Sequence, residues 1–303
     1  MINQMKTPIV LEDIEAEVKQ HPLHTLAKIQ LWQLATVPFG NLVLHYSPHH
    51  TVSLDPETLF SKIVERRSGG YCMENNAFFA TVLRALGYDL YTTGARVSNS
   101  LDKGNKDPEG YSGWSHMLII VTVCGRKYMV DVGFGTSGAV QPVLLEDGNI
   151  VQNVPTSQGR LVYRPIAENT DSSQSLWSFE VQNSPESSWV PQYCFTEVEF
   201  LPQDFSVMNL STSQSRKSWF TQKFVLTKVI LDKERERAAG NLTLSHDELK
   251  QRLNGRTDTL ETCRTEQQRV MVLEEHFGVK LRPDEIRGIQ GLPSEIIQPW
   301  EGL

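Results

Sequence analysis

The chain has little cysteine, no long apolar run and no excess of basic charge. Four cysteines, at positions 72, 124, 194 and 263, are spread over 303 residues with neither a CxxC pair nor ligand-like spacing to histidine. That argues against a disulfide framework or a zinc site and sets the expectation of a reduced, cytoplasmic protein. No stretch approaches the roughly 18–20 consecutive apolar residues that cross a bilayer, so no membrane association is expected. Met1-Ile2-Asn3-Gln4-Met5-Lys6 leads into polar, acidic sequence rather than the apolar core of a secretion signal. The sequons at Asn209 and Asn241 therefore carry little weight. With 29 Lys and Arg against 36 Asp and Glu, a net charge of −7, no general affinity for nucleic acid is expected.

What is present is an ordinary globular composition in a chain long enough for two or three domains. From Leu11 to about Leu90 apolar residues recur at helical intervals, broken at Pro38-Phe39-Gly40-Asn41 and Ser47-Pro48-His49-His50. Phe78, Phe79, Val82, Leu83 and Leu86 form a stripe that ends at Gly87, a favourable helix C-cap. From Tyr88 the pattern turns to strands: Tyr88–Thr93, a polar loop from Ser98 to Ser112, then Met117–Val123 and Arg126–Val132 around Cys124-Gly125. Further short strands are expected at Val140–Leu145, Leu161–Arg164, Leu176–Gln182 and Glu197–Phe200, giving an antiparallel barrel. After a serine-rich run from Asp204 to Ser218, Phe220–Leu231 reads as strand, His246–Leu253 as helix and Gln267–Phe277 as an amphipathic helix.

Cys72 follows the paired glycines Gly69-Gly70 and begins the apolar-periodic helix. Backbone N–H groups at a helix start lack partners and the macrodipole is positive there, so a thiolate is favoured. A two-residue turn at Cys124-Gly125 pairs Val123 with Arg126 and sets Asp131 opposite Leu118. His116 then shares a face with Asp131 as its diagonal neighbour, at a Cα separation of roughly 7–8 Å. Thiol, imidazole and carboxylate together suit nucleophilic acyl transfer: the thiolate attacks a carbonyl, the histidine moves the proton, and the carboxylate fixes its tautomer. The helix-start N–H groups are candidates for an oxyanion hole. Glu74 and the Arg66-Arg67 pair read as a solvated helix start, and His49-His50, adjacent and pointing apart, suggest no metal.

The blocks Gly69-Gly70-Tyr71-Cys72 with Asn76, Gly113-Trp114-Ser115-His116 and Val130-Asp131-Val132-Gly133-Phe134-Gly135 resemble those of the arylamine N-acetyltransferases. So does the fifteen-residue step from His116 to Asp131. Val37-Pro38-Phe39-Gly40-Asn41-Leu42 is similar to a further segment of that family, and Asp204-Phe205, Met208-Asn209 and the run to Phe220 are similar to its acyl-coenzyme A region. The resemblance implies an α+β fold with a cysteine-protease-like core. It divides the chain into a helical domain over 1–90 with Cys72, an antiparallel β-barrel over 91–205 with His116 and Asp131, and an α/β lid over 206–303. It also implies ping-pong acyl transfer: Cys72 takes an acetyl or malonyl group from acyl-coenzyme A and passes it to an arylamine, arylhydrazine or N-hydroxyarylamine. By position Phe39, Val97 and Phe134 would contact the aromatic acceptor, and Gly113, Ser211, Lys217 and Trp219 the coenzyme.

The chain departs from the family pattern where Arg usually precedes the paired glycines; here Ser68 stands there, with Arg66 and Arg67 upstream. The longer loop between Val97 and His116 and the insertions around Gln158–Pro191 resemble fungal members, some of which prefer malonyl donors. A Cys-His-Asp set also serves thiol hydrolases and transglutaminases, and a silent relative could act as a binding module. The complete triad and the coenzyme-like segment after Asp204 favour the transferase.

Overall fold

The computed structural model describes residues 11–101 and 109–297. The expected features at residues 1–6, and part of the 98–112 loop, lie outside them.

Two helices open the fold, α1 (Leu11–Gln20) and α2 (Pro22–Thr36), the second starting on a proline whose missing N–H costs nothing at that position. Leu26, Leu31 and Leu34 of α2 are buried in the core. After the short strand β1 (Phe39–Gly40) come α3 (Leu42–His45) and α4 (Pro56–Phe60), the latter capped where Thr58 N–H donates to Asp55 Oδ2 at 3.0 Å. It continues into one π-helical stretch, Ser61–Glu65. Helix α5 (Cys72–Ala85) stops at Gly87, whose φ of +86° is the left-handed conformation that suits glycine. Its Phe79 and Leu83 join α2 against Ile119 and Val121 of the sheet behind.

That sheet has eight antiparallel strands: β2 (Asp89–Ser98), β3 (Tyr111–Val123), β4 (Arg126–Val130), β5 (Val143–Leu144), β6 (Ile150–Gln152), β7 (Gln158–Pro165), β8 (Ser175–Gln182) and β9 (Val190–Phe195). Their order is β5-β4-β3-β2-β9-β8-β7-β6. The edge strands β5 and β6 are consecutive in the chain, so the sheet curls into a nearly closed barrel. Residues 117–121 of β3 are all buried: Leu118 and Ile120 face the barrel interior, Ile119 and Val121 face α2 and α5. This is why the run is continuously apolar rather than alternating. The β3–β4 turn has φ of +50° at Cys124 and +73° at Gly125, and the register pairs Val123 with Arg126 and Ile119 with Val130.

Three strand expectations are corrected, the one at Phe220–Leu231 being strand only from Val225. The strand expected at Glu197–Phe200 is instead β9, at Val190–Phe195. Beyond it the chain turns across β2, where Thr93 Oγ1 holds the carbonyls of Thr196 and Val198 at 2.9 and 2.7 Å. Val140–Leu145 is strand only over β5.

The serine-rich run forms helix α6 (Pro202–Gln214), followed by α7 (Trp219–Gln222). A second sheet then holds β10 (Val225–Leu231), β11 (Ala238–Ser245), β12 (Glu248–Leu253) and β13 (Arg256–Thr262), with β1 as its edge next to β10. His246–Leu253, expected as helix, is turn and strand: His246 sits at φ +53° and Ser245 pairs with Glu248 across a two-residue turn. Helix α8 (Glu266–Phe277) covers this sheet through Val272, Leu273 and Phe277, and α9 (Pro283–Arg287) is followed by a described segment that runs to residue 297.

Candidate active site

The thiol is placed by the backbone before it. Gly70 N–H donates to Pro38 O at 3.2 Å and Gly40 N–H to Gly70 O at 2.9 Å, which pins the glycine pair to β1. Gly69 has φ +63°, and a Cβ there would lie 2.0 Å from Pro38 O, so only glycine fits. Cys72 opens α5 in a buried cluster with Tyr71, Met73, Met117, Phe205 and Met208, and its Sγ donates to Ser115 O at 3.7 Å.

His116 comes from β3 and Asp131 from the residue after β4. His116 Nε2 is 2.8 Å from Asp131 Oδ2, both groups being buried, which leaves Nδ1 for Cys72. Burial pulls the His116 pKa down, but the charge and hydrogen bond of Asp131, then those of Cys72, raise it to about 10. The Asp131 carboxyl is held below its ordinary value: burial works against ionisation, and His116, Asn76 and the Gly133 N–H overcome it. Asp131 Oδ1 accepts from Asn76 Nδ2 at 2.9 Å and from Gly133 N–H at 2.8 Å. Asn76, one turn beyond Cys72, also donates to Met117 O at 2.7 Å and accepts from Val132 N–H at 3.0 Å. One amide thus ties α5, β3 and the Asp131 loop together. From α2, Gln30 Nε2 donates to Asp131 O at 3.3 Å.

The other residues singled out in the sequence fall into two groups. Phe134 lies edge-on to His116 at 5.0 Å between ring centroids, and Phe39 packs against the Cys72 cluster. Val97 pairs with Tyr193 across β2 and β9. Ser211 on α6, Gly113 and Lys217 are exposed, and Trp219 begins α7. The sequence reading did not single out Tyr193, buried against both His116 and Phe134 at 5.0 and 4.6 Å, or Phe220, edge-on to Tyr71 at 5.7 Å. Neither carries a local signal, since each meets the site only through the fold. Among the described residues no three His, Cys, Asp or Glu side chains form a metal-ligand group.

The family model described as N-acetyltransferase matches residues 22–286. The chain belongs to the arylamine N-acetyltransferase family. It is similar to the N-malonyltransferase FDB2 of Fusarium pseudograminearum (strain CS3096), with 40% identity over 293 residues covering 92% of this chain and 85% of that protein. The arylamine N-acetyltransferase from Mycobacterium abscessus shares its fold at a TM-score of 0.75 and 22% identity, with 93% of each chain covered. The Mycobacterium marinum arylamine N-acetyltransferase in complex with CoA does so at 0.72 and 24%, over 89% of this chain and 93% of that one. The chain is accordingly an acyltransferase of the arylamine N-acetyltransferase type.

The expectation of a solvated Glu74 and Arg66-Arg67 is overturned. Glu74 is 1% exposed; one oxygen accepts from Lys62 Nζ at 2.5 Å and the other from Tyr71 N–H at 3.1 Å. Arg66 instead forms a two-pronged pair with Glu285, at 2.7 and 2.8 Å, and only Arg67 is exposed. The cation beside Glu74 is Lys62, from the π-helical stretch before the glycines. A buried carboxylate needs such a partner.

Proposed function

We propose that this acyltransferase works by double displacement through Cys72, with acyl-coenzyme A as donor and an arylamine, arylhydrazine or N-hydroxyarylamine as acceptor. The observation that carries this reading is the Cys72, His116, Asp131 arrangement at the start of α5, joined by Asn76. The Cys72 thiolate attacks the thioester carbonyl, the first-turn N–H groups of α5 steady the oxyanion, and coenzyme A leaves with a proton from His116. In the second half the amine nitrogen attacks the acyl-Cys72 carbonyl, His116 takes the amine proton, and the thiolate is released. Asp131 holds His116 in the tautomer that turns Nδ1 to the sulfur. In this reading residues 1–90 supply the nucleophile, 91–205 the proton-transfer pair and 206–303 the cover. Phe39, Val97 and Phe134 contact the acceptor; Gly113, Ser211, Lys217 and Trp219 contact the coenzyme. Of the two donors we favour malonyl-coenzyme A, because the FDB2 relative is named for that transfer and matches over most of both chains.

Intact-mass spectrometry after mixing with malonyl- or acetyl-coenzyme A tests this. One acyl group should appear on the wild-type protein, none on Cys72→Ser, and malonyl should load faster. The adduct should persist until an arylamine is added. Its release as free acid in water alone would mark a thiol hydrolase, and an adduct surviving in Cys72→Ser, or none at all, would defeat the enzyme mechanism.

A further inference from the structure

The segment bearing Trp219 and Phe220 is gripped from beneath by buried side chains. Asn41, 2% exposed, donates to Phe220 O at 2.7 Å and to Lys223 O at 2.6 Å, while its Oδ1 accepts from Val225 N–H at 2.9 Å. His45, fully buried, places Nε2 3.0 Å from the same Phe220 carbonyl and 2.9 Å from Asn41 Nδ2. Its Nδ1 lies 2.6 Å from Ser294 Oγ. Ser294 belongs to the C-terminal segment and is itself fixed, its carbonyl accepting from Arg269 Nη2 at 2.9 Å. Ile296 N–H donates to Glu266 Oε1 at 2.7 Å nearby.

The tautomer of His45 follows from counting hydrogens. Burial lowers its pKa to about 4 against the opposing pull of the Phe220 carbonyl, and Arg269 and His50, which face it, add to the fall. The ring is therefore neutral at ordinary pH, with one N–H to place. Both amide hydrogens of Asn41 are committed to the two carbonyls, its shortest contacts. If Nε2 carries the proton, it donates to Phe220 O and Ser294 O–H donates to Nδ1, so every acceptor is satisfied. If Nδ1 carries it, Nε2 can accept at 2.9 Å only by drawing an Asn41 hydrogen off one of the two carbonyls, it still faces the Phe220 oxygen at 3.0 Å, and a hydrogen bond is lost.

We propose that Ser294 is a positioning residue for substrate binding: by donating to His45 Nδ1 it fixes the Nε2–H tautomer that, with Asn41, clamps the carbonyl of Phe220, whose side chain packs against the Cys72 cluster. The clamp sets the Phe220 ring, which lies edge-on to Phe39 at 6.3 Å and to Tyr71 at 5.7 Å. Phe39 is assigned to the acceptor and Trp219, edge-on to Phe220 at 5.4 Å, to the coenzyme, so the effect falls on substrate binding and not on the thiol–imidazole chemistry. The inference rests on the thioester reading for that functional consequence, but the tautomer does not.

Nitrogen-15 NMR of the histidine rings of the wild-type protein at neutral pH reads the tautomer directly. His45, assigned by its loss in His45→Gln, should carry its proton on Nε2; a proton on Nδ1 overturns the clamp. In steady-state and single-turnover kinetics, Ser294→Ala should raise the KM for an arylamine about tenfold, as for one lost hydrogen bond, and leave the rate of Cys72 acylation at saturating acyl-coenzyme A within about twofold. Ser294→Thr, which keeps the hydroxyl, should restore the wild-type KM. An unchanged KM in Ser294→Ala, or a loss in the single-turnover rates at saturating substrate as large as the rise in KM, overturns the positioning role. If wild-type Cys72 takes no acyl group, the thioester reading falls, and the tautomer alone decides whether the clamp exists.

Discussion

Gly133→Ala is the substitution that most directly probes how the nucleophile is set against its partners. A Cβ at residue 133 would lie 2.6 Å from Cys72 Cα, 2.7 Å from Asn76 Nδ2 and 2.8 Å from Cys72 O. Carbon atoms rest against each other at about 3.5 Å, so the new methyl lacks about 0.9 Å of room. Two of the three atoms it meets are backbone at the first residue of α5, and no rotamer change removes them. Either the loop after Asp131 or the start of α5 must yield by most of that distance. Overpacking of this kind costs about 1–3 kcal/mol of stability, and a shift near 1 Å between reacting groups costs about a hundredfold in rate. The expected result is a kcat/KM about a hundredfold below wild type, with acylation of Cys72 slowed in parallel, because both half-reactions use the same three side chains. Urea unfolding measures the stability loss, and single-turnover acylation measures the geometry. Gly113→Ala is the contrast, since its Cβ meets nothing within 4 Å, and stability there should stay within about 0.5 kcal/mol. A Gly133→Ala enzyme with wild-type kcat/KM and unfolding midpoint would show that the two elements are not in contact as described.

Three further outcomes are expected. Lys62→Met strands the buried Glu74 carboxylate and should cost about 3–5 kcal/mol in urea unfolding; adding Glu74→Gln should recover much of it, and a double variant no better than the single one contradicts the pairing. Asp131→Asn should lower kcat by about 10³–10⁴, with circular dichroism unchanged, and a loss below tenfold removes Asp131 from the mechanism. The His116 pKa lies at about 10, above its ordinary 6.5, so its stabilising contribution is complete below pH 6.5 and is lost as pH rises through 10. Thermal midpoints of the wild type should fall between pH 6.5 and 10 while those of Asp131→Asn do not, and parallel curves would reject the linkage.

What could be read in the sequence was local. The helix start at Cys72 is announced by two glycines and an apolar stripe, and the β3–β4 register follows from a two-residue turn even though Cys124 is an unusual occupant at φ +50°. The strand at residues 190–195 escaped notice because Pro191 sits inside it and Gln192 and Cys194 interrupt the usual β-branched pattern. Residues 246–253 read as helix because Leu249 and Leu253 stand at a helical interval, whereas the strand buries Leu249 and pairs Leu253 at the sheet with Gly240. Lys62 was invisible for a different reason. Its partner lies twelve residues away across the glycine turn, and only the path of the π-helical stretch brings the ammonium to Glu74.

Neither the helix start nor the hairpin places the nucleophile against its base, because each is specified by its own neighbours in the chain. That placement depends on contacts between residues more than fifty positions apart: Asn76 with Asp131 and with Val132, and Gly133 against Cys72. The Asn76 oxygen accepts from Val132 N–H and its nitrogen donates to a carboxylate and a carbonyl, so an aspartate there would turn a donor into a second negative charge beside Asp131. A glutamine would keep the groups and displace them by a methylene. The two positions therefore tolerate little besides Asn and Gly, although neither takes part in bond making. They determine whether a thiol and an imidazole that the chain builds separately ever meet.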